Sequence, residues 1–556
     1  MTNAFETADR LVDDLCSISP LISTQLGVPG SDHLWGNDLG LDGLVERREL
    51  RDRYRPLIAP SLESDVPEDV LAARVMSGAF DEMDAEYEAG DHFRDLRHMA
   101  SSFQRIRSIF DVMSTVTEED RANVVARLRT MGQPLDHYRE RLSEGISREI
   151  VVARRQVLSV IDQARRLADD PASFDAIVAK FAAEGLDDPA LHDAARGARL
   201  ALGEFGEWLG AEYLPHAREN DAAGVEVYQR AADRLVGLDI DPEEAYRWGW
   251  EEFFRLLTEI ERVADEIRPG AGVDAVKQYL ETDPEVTASG TEELVSFVKA
   301  TLGRAVDDLA GVHFEVPDQI REVTVSIAPP GTPLGAYYLR PSEDFTRPGG
   351  VWYSIGDQDV FPLYQHVSTA YHEGFPGHHM QIATAMTRTE EISRFQRLMT
   401  WYPGYGEGWG MYAEVLMGEL GYLDDPQHYF GMLAKQMYRA SRVVVDIGLH
   451  LGKLIHDSSP IAPAEPWTFD TAVEFMREYG FRTPVQARDE VLRYLGWPGQ
   501  AIAYKLGERE ILSIREEAKR RLGPAFELRD FHSTVLDHGA MRLDLLREIV
   551  GERLPA

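Results

Sequence analysis

Residues 370–383 read "AYHEGFPGHHMQIA". His372 and Glu373 make the His-Glu pair that opens a zinc-peptidase helix. In such a helix a second histidine four residues on shares the helix face and pinches one metal ion, and the glutamate serves as base. Here Pro376 stands four residues after His372, and histidines follow at 378 and 379. On a straight helix a six-residue spacing turns the second ring about 120° from the first, while seven residues restore the face but part the rings by roughly 10 Å along the axis. Neither pair closes on one ion without a distortion. Gly374, Pro376 and Gly377 supply one: proline lacks an N–H and crowds the preceding turn, and glycine accepts backbone angles that other residues resist. A two-residue bulge selects His378; a three-residue bulge selects His379. The smaller insertion leaves the following "HHMQIATAM" closer to helical register, so His378 is the expected ligand and His379 its alternate. The competing reading is a set of polar residues around a tight buried turn.

A catalytic zinc takes three protein ligands and keeps one position open. Downstream, "GYGEGWGMYAE" places Glu407 29 residues after His378, room for one helix, a turn and a return. Glu407 and Glu414 are seven apart and share a helix face, and Gly406, Gly408 and Gly410 allow that helix to approach a neighbour closely. Glu407 is therefore the expected third ligand, and Glu414 a carboxylate behind the ligands that orients them. The rival for Glu407 is an N-terminal helix glutamate favoured by the helix dipole.

The elements that must position these residues read as mainly α. "EEAYRWGWEEFFRLLTEIERVADEI" has helical spacing and follows Asp241 as N-cap and Pro242 in the first turn. "TFDTAVEFMREYG" predicts a helix capped by Thr468, with Ala472, Val473, Phe475, Met476 and Tyr479 on the apolar face and Gly480 at its end. Before the His-Glu pair, Leu363, Val367, Ala370 and Tyr371 form one face, so His372 and Glu373 end a buried helix. "VTVSIAPP", "GAYYLRPS" and "GGVWYSIG" are short β-type runs and predict a small sheet beside the metal helix. "GGVWYSI" reads equally well as an edge strand for substrate backbone and as packed core sheet. "SSPIAPAEPW" is a connector. The expected division is a helical N-terminal subdomain, 1–220, and a catalytic metal-binding subdomain, 221–556.

"HEGFPGHHMQ", "GEGWGMYAE" and "GWPGQAIAYKLG" resemble the signature segments of the domain-of-unknown-function family 885, along nearly the whole chain. The resemblance implies a gluzincin-type zinc metallopeptidase. "GEGWGMYAE" is also similar to the "NEGFASYVE" pattern of aminopeptidase N relatives, whose first glutamate binds zinc; that match falls on Glu407. Carboxypeptidase Taq, thimet oligopeptidase and angiotensin-converting enzyme, related in pattern, imply a two-lobed helical body around a deep channel that admits short peptides. The chain departs from those relatives in its inserted residues between the histidines.

Other parts of a site follow from placement. Tyr504, in "RYLGWPGQAIAYKLG", is a candidate catalytic donor to an oxyanion, because a tyrosine hydroxyl stays protonated near neutral pH; an interfacial core tyrosine is the alternative. Arg442, Asp446 and His450 make a polar stripe on an apolar helix. Charges there need partners, either as a network or substrate-carboxylate site around the metal or as an internal ion pair. Phosphate-binding glycine loops and serine nucleophile elbows are absent.

The formal charge of −37, from 95 acids against 58 bases, argues against nucleic acid or an anionic membrane as partner. Cys16 is the only cysteine, so no intrachain disulfide forms. With no basic and apolar leader visible and no long apolar run, the expected location is the cytoplasm. The combined expectation is a zinc-dependent metallopeptidase with one Zn²⁺ per chain on His372, His378 and Glu407, Glu373 as base, and a peptide or other small amide as substrate. Mn²⁺ and Co²⁺ also suit two histidines and a carboxylate. The alternatives are a zinc-dependent hydrolase of a non-peptide amide or ester, and a non-catalytic metal-binding protein.

Overall fold

Helices carry most of the chain, and the strands are few and short. The computed structural model describes residues 3–328 and 335–554. The chain divides into two units. One comprises Met1–Ala222, Ser393–Met399 and Leu495–Trp497; the other comprises Ala223–Ile392, Thr400–Tyr494 and Pro498–Ala556.

In the first unit, α1 (Ala4–Ile18) buries Ala4, Ala8, Leu11, Val12 and Cys16. That stripe joins a core with Met76 and Phe80 of α2 (Pro67–Glu88), and Phe395 from the Ser393–Met399 segment meets Phe80 edge-on at 6.2 Å. A second core joins α3 (Arg154–Asp169) to α4 (Pro189–Trp208) through Val157, Val160, Ala198, Leu202 and Phe205. Burying each such large apolar side chain contributes about 1.5–3 kcal/mol. Arg127 is fully buried there, and its guanidinium is met by the carbonyl of Leu34 at 2.9 Å and the hydroxyl of Thr24 at 2.8 Å.

The second unit begins its helical frame with α5 (Pro242–Ile267). Asp241 caps it by accepting from the backbone N–H of Glu243, and Pro242 occupies the first turn, as the sequence reads. Thr468 likewise caps Phe469–Glu478. After α6 (Thr291–Leu309) come β2 (Thr324–Ile327), β3 (Gly335–Leu339) and β4 (Gly350–Ser354), in the order β2–β4–β3, parallel on the β2 side and antiparallel on the β3 side. The three β-type runs therefore form one small sheet. The edge-strand reading of "GGVWYSI" fails: β4 is the middle strand, and both of its edges are taken by β2 and β3. A separate ribbon pairs β1 (Thr287–Ser289) with β5 (Val360–Pro362), Thr287 opposite Pro362. β5 runs directly into α7 (Leu363–Glu373), so the ribbon anchors the start of the helix that ends in His372 and Glu373.

Five further helices follow: α8 (His378–Thr387), α9 (Pro403–Glu419) and α10 (Pro426–Leu451), which pack against α7, then α11 (Pro484–Gly496) and α12 (Ala503–Leu522). Gly408 of α9 lies against the backbone of Gly507 of α12, so these helices touch main chain to main chain. Gly431 of α10 lies in the same way against the carbonyl of Tyr364 of α7. Among the described residues no helix is long and apolar enough to cross a membrane.

Candidate metal centre

The chain resolves the awkward histidine spacing by breaking the helix. α7 stops at Glu373, and α8 starts afresh at His378. The four residues between, Gly374 to Gly377, include a cis Phe375–Pro376 bond. The Gly377 N–H donates to the Tyr371 carbonyl at 3.0 Å, and the His379 N–H to the Gly374 carbonyl at 3.1 Å. Trp409 of α9 donates its indole N–H to the Pro376 carbonyl at 2.9 Å, pinning the break to the neighbouring helix. Neither Gly374 nor Gly377 has a positive φ. What glycine supplies here is space: a Cβ on Gly377 would overlap the carbonyl oxygens of His372 and Tyr371. The bulge expected from sequence is thus a stop and restart of the helix.

The restart brings His372, His378 and Glu407 together, with one ligand-type atom from each lying within 4.8 Å of the others. His372 Nε2 is 3.3 Å from Glu407 Oε2, and His378 Nε2 is 3.5 Å from the same oxygen. Zinc bonds of about 2.0–2.2 Å in a tetrahedron require ligand atoms roughly 3.3 Å apart, so these three atoms suit one ion. The two imidazoles stand nearly perpendicular, at 85°, with centroids 4.8 Å apart. The other face of His372 is held as well: Nδ1 lies 2.8 Å from Glu414 Oε1, and the second Glu414 oxygen accepts from the Ser368 hydroxyl. That carboxylate–histidine pair fixes which ring nitrogen is left for a metal. Gly410 makes room for the ring, because a Cβ there would sit 2.6 Å from His372 Cε1.

Electrostatics follow the same contacts. Burial opposes charge on His372, but hydrogen bonds with Glu407 and Glu414 outweigh it and raise the imidazole to about 10 in the metal-free chain. Burial likewise works against the Glu407 carboxylate, and His372 and His378 more than offset it, holding the carboxyl well below its usual range. Glu373 is different. Burial pushes its carboxyl up, and the nearby His378 and His372 only moderate this. Its carboxyl makes no side-chain hydrogen bond within the described residues and stays partly exposed, as Glu407 does, whereas His372, His378 and Glu414 are buried.

The remaining expected residues are not part of the three-residue ligand group. His379 turns away from the group: its Nε2 donates to the Ile320 carbonyl at 2.7 Å, and burial lowers it to about 4. Asp446 accepts from the Tyr228 hydroxyl at 2.8 Å and the Gly499 N–H at 3.1 Å. His450 bonds the Ala223 N–H and the Tyr494 carbonyl, each at 3.0 Å. Both are therefore internal ties between α10 and its neighbours, as the ion-pair alternative has it. Arg442 donates to the Tyr494 hydroxyl at 3.2 Å and to Glu490 at 3.0 Å. Tyr504 receives Arg493 at 3.4 Å on its hydroxyl, and Arg439 lies 5.0 Å over its ring. Sequence reasoning missed Ser368 and Trp409. Ser368 is one turn before His372 on the same face, a signal that was readable; Trp409 acts across a tertiary contact that no spacing announces.

The chain matches the family described as "Bacterial protein of unknown function (DUF885)" over residues 20–550. No curated protein matches it. Among solved structures, it is similar to "the putative lipoprotein from Colwellia psychrerythraea", with TM-score 0.85, 23% identity and 100% of each chain covered. It is also similar to "a putative lipoprotein of unknown function from Shewanella oneidensis", with TM-score 0.72, 17% identity, 99% of this chain and 100% of that one. These two share its fold. A carboxypeptidase of Pyrococcus furiosus aligns at TM-score 0.32 and 11% identity, over 92% of this chain and 98% of that one, too low to carry an argument. The expected cytoplasmic location is corrected by the first two, since a lipoprotein is membrane-anchored or secreted. Cys16, the one cysteine of the chain, is buried in the α1 core, so packing accounts for it and it says nothing of the redox compartment.

Proposed function

The chain belongs to the DUF885 family of bacterial proteins, and from that premise we propose that it is a zinc-dependent metallopeptidase acting on short peptides. The observation that carries the reading is the convergence of His372, His378 and Glu407, with both imidazoles 3.3–3.5 Å from one Glu407 oxygen and all three ligand atoms within 4.8 Å, beside a Glu373 that makes no side-chain hydrogen bond within the described residues. His372 and His378 would hold Zn²⁺ through Nε2, and Glu407 through Oε2. The ion would supply Lewis-acid polarisation of a carbonyl and an acidified water.

The chain's own residues do the rest. Glu414, fixed by Ser368, keeps a proton on His372 Nδ1 and so presents Nε2 to the metal. Glu373 adjoins His372 in sequence but coordinates nothing; its carboxylate takes the proton of the water that attacks the scissile carbonyl and returns it to the leaving amine. Burial raises the basicity of that carboxylate, which suits a group that must accept and release a proton near neutrality. Tyr504 is the proposed donor to the oxyanion.

A closed structural zinc site has four protein ligands and no use for a base; three ligands beside a half-exposed Glu373 favour the enzyme over a structural metal protein. The test is zinc content beside turnover of one cleaved peptide. Glu373→Gln keeps its zinc and loses roughly 10²–10⁴-fold in turnover, the usual worth of a general base. Glu407→Gln loses zinc as well. Full zinc with near-normal turnover in Glu373→Gln removes the base from the mechanism.

A further inference from the structure

α10 carries a second polar pattern, one register away from Arg442, Asp446 and His450. Lys435, Arg439 and Arg442 fall at i, i+4 and i+7, on one helix face. From Phe430 to Gly448 the helix is buried at every position except Lys435 and Arg439, so solvent meets it at two cations. α7 runs alongside. Gly431 abuts Tyr364 near the start of α7, and Lys435 and Arg439 lie one and two turns further on. Both bear electrostatically on Glu373 and Glu414. The half-exposed cations of α10 therefore border the half-exposed base of the metal centre.

The cluster is short of counter-charge. Arg482 lies 3.7 Å over the Tyr438 ring, Arg439 4.5 Å over the same ring, and Arg442 4.7 Å over that of Tyr504. The ion pairs of this group go to Glu490, which takes Arg442 at 3.0 Å and Arg493 at 3.6 Å. Among the described residues, Glu490 is the one carboxylate that makes an ion pair with these four guanidinium groups and the ammonium, while Glu373 and Glu414 act on Lys435 and Arg439 without pairing with them. Buried guanidinium nitrogens are left without partners: Nε of Arg439, Nε of Arg482, Nε of Arg493 and Nη1 of Arg442. The Lys435 ammonium makes no hydrogen bond in the described residues, and burial, with repulsion from Arg482 and Arg439, lowers it to about 7. Glu414 offers no relief, since both of its oxygens are engaged by His372 and Ser368. Like charges whose donors are buried and unused are costly unless an anion completes them.

We propose that Lys435, Arg439 and Arg482 form the binding site for the free C-terminal carboxylate of the peptide substrate. This rests on the peptidase reading and deepens it to C-terminal cleavage. A guanidinium fork matches a planar carboxylate in shape and charge. Lys435 and Arg439 lie on the helix packed along α7, which ends in Glu373, so the carboxylate they hold belongs to a residue close in sequence to the scissile bond. The one carboxylate that every unmodified peptide carries, whatever its side chains, is the terminal one.

The experiment compares acetyl-trialanine, its C-terminal amide, and acetyl-dialanyl-aspartate amide as substrates of the zinc-loaded protein. The free acid is expected to exceed its amide roughly 10- to 100-fold in kcat/KM, the worth of one strong charge-assisted contact. Arg439→Gln and, separately, Lys435→Met bring that ratio toward one with zinc content unchanged and no loss of melting temperature. Equal turnover of acid and amide by the wild type overturns the carboxylate site and leaves the peptidase standing. Turnover of the aspartate amide at the free-acid rate overturns the terminal assignment in favour of a side-chain carboxylate. If zinc-loaded protein cleaves none of them, the peptidase reading falls. Calorimetric binding of acetyl-dialanine and its amide to metal-free protein then decides the site: acid tighter than amide, with the difference lost in Arg439→Gln, supports it, and equal binding overturns it.

Discussion

His372 is held from both sides, and the two sides do different work. Glu407 shares its Nε2 region with His378, where an ion would sit, while Glu414 bonds Nδ1 and sets the ring's tautomer and tilt. Outer partners of this kind cost 10–100-fold in metal affinity when removed. Glu414→Ala should therefore keep all three ligands and still bind Zn²⁺ about 10–100-fold more weakly, measured by competition with a chelating dye. Unchanged affinity would reduce Glu414 to a packing residue. At this scale the sequence was informative wherever chemistry and period coincide. His372, His378, Glu407 and Glu414 could be picked out because each has a rare residue type at a meaningful spacing. Asp446 and His450 misled because any charged stripe on an apolar helix looks functional until its partners are known. Those partners, Tyr228, Gly499 and Ala223, come from distant parts of the chain. The proposed carboxylate site, with Lys435 and Arg439 on that same helix, was hidden by the same ambiguity.

The elements show why the spacing of the histidines is tolerable. A continuous helix cannot place residues 372 and 378 on one ion; two helices with a four-residue break can, provided something fixes the angle between them. Trp409, donating to Pro376, does so from α9, the helix that also supplies Glu407 and Glu414. The same helix must approach His372 closely, and Gly410 is where it does. Gly410→Ala places a methyl 2.6 Å from the imidazole, too near for the ring to stay. The expected outcome is loss of tight zinc binding with helical content and solubility retained, read by metal analysis and circular dichroism. Wild-type zinc content in that variant would mean that the ring has slack the geometry does not show. Helix type, caps and the small sheet were readable from local patterns, because Asp241, Thr468 and the Gly- and Pro-bounded β runs act within a few residues. The stop and restart at Gly374–Gly377 was legible only as a distortion. Its form depends on the Trp409 and Tyr371 contacts, which sequence spacing does not encode.

For the whole molecule, an ion bound only by the folded chain stabilises it by mass action, about 2.7 kcal/mol at one hundred times the dissociation constant. Zn²⁺ should raise the melting temperature of chelator-treated protein and leave His372→Ala unmoved. Hydrogen exchange should localise the gain to α7, α8 and α9, the helices that carry the ligands. Protection gained instead in α1 to α4, with none in α7 to α9, would place the ion elsewhere. Between His378 and Glu407 the chain leaves its own unit: Ser393–Met399 belongs to the first unit, with Phe395 in the α1–α2 core. The two halves of the metal centre are thus joined by a thread sewn through the other unit. A gene fusion or recombination event that exchanged the N-terminal half alone would have to preserve a matching seat for Phe395. The two units should therefore be inherited together across descendants of this chain, and an N-terminal half transplanted from a relative should work only when that seat comes with it.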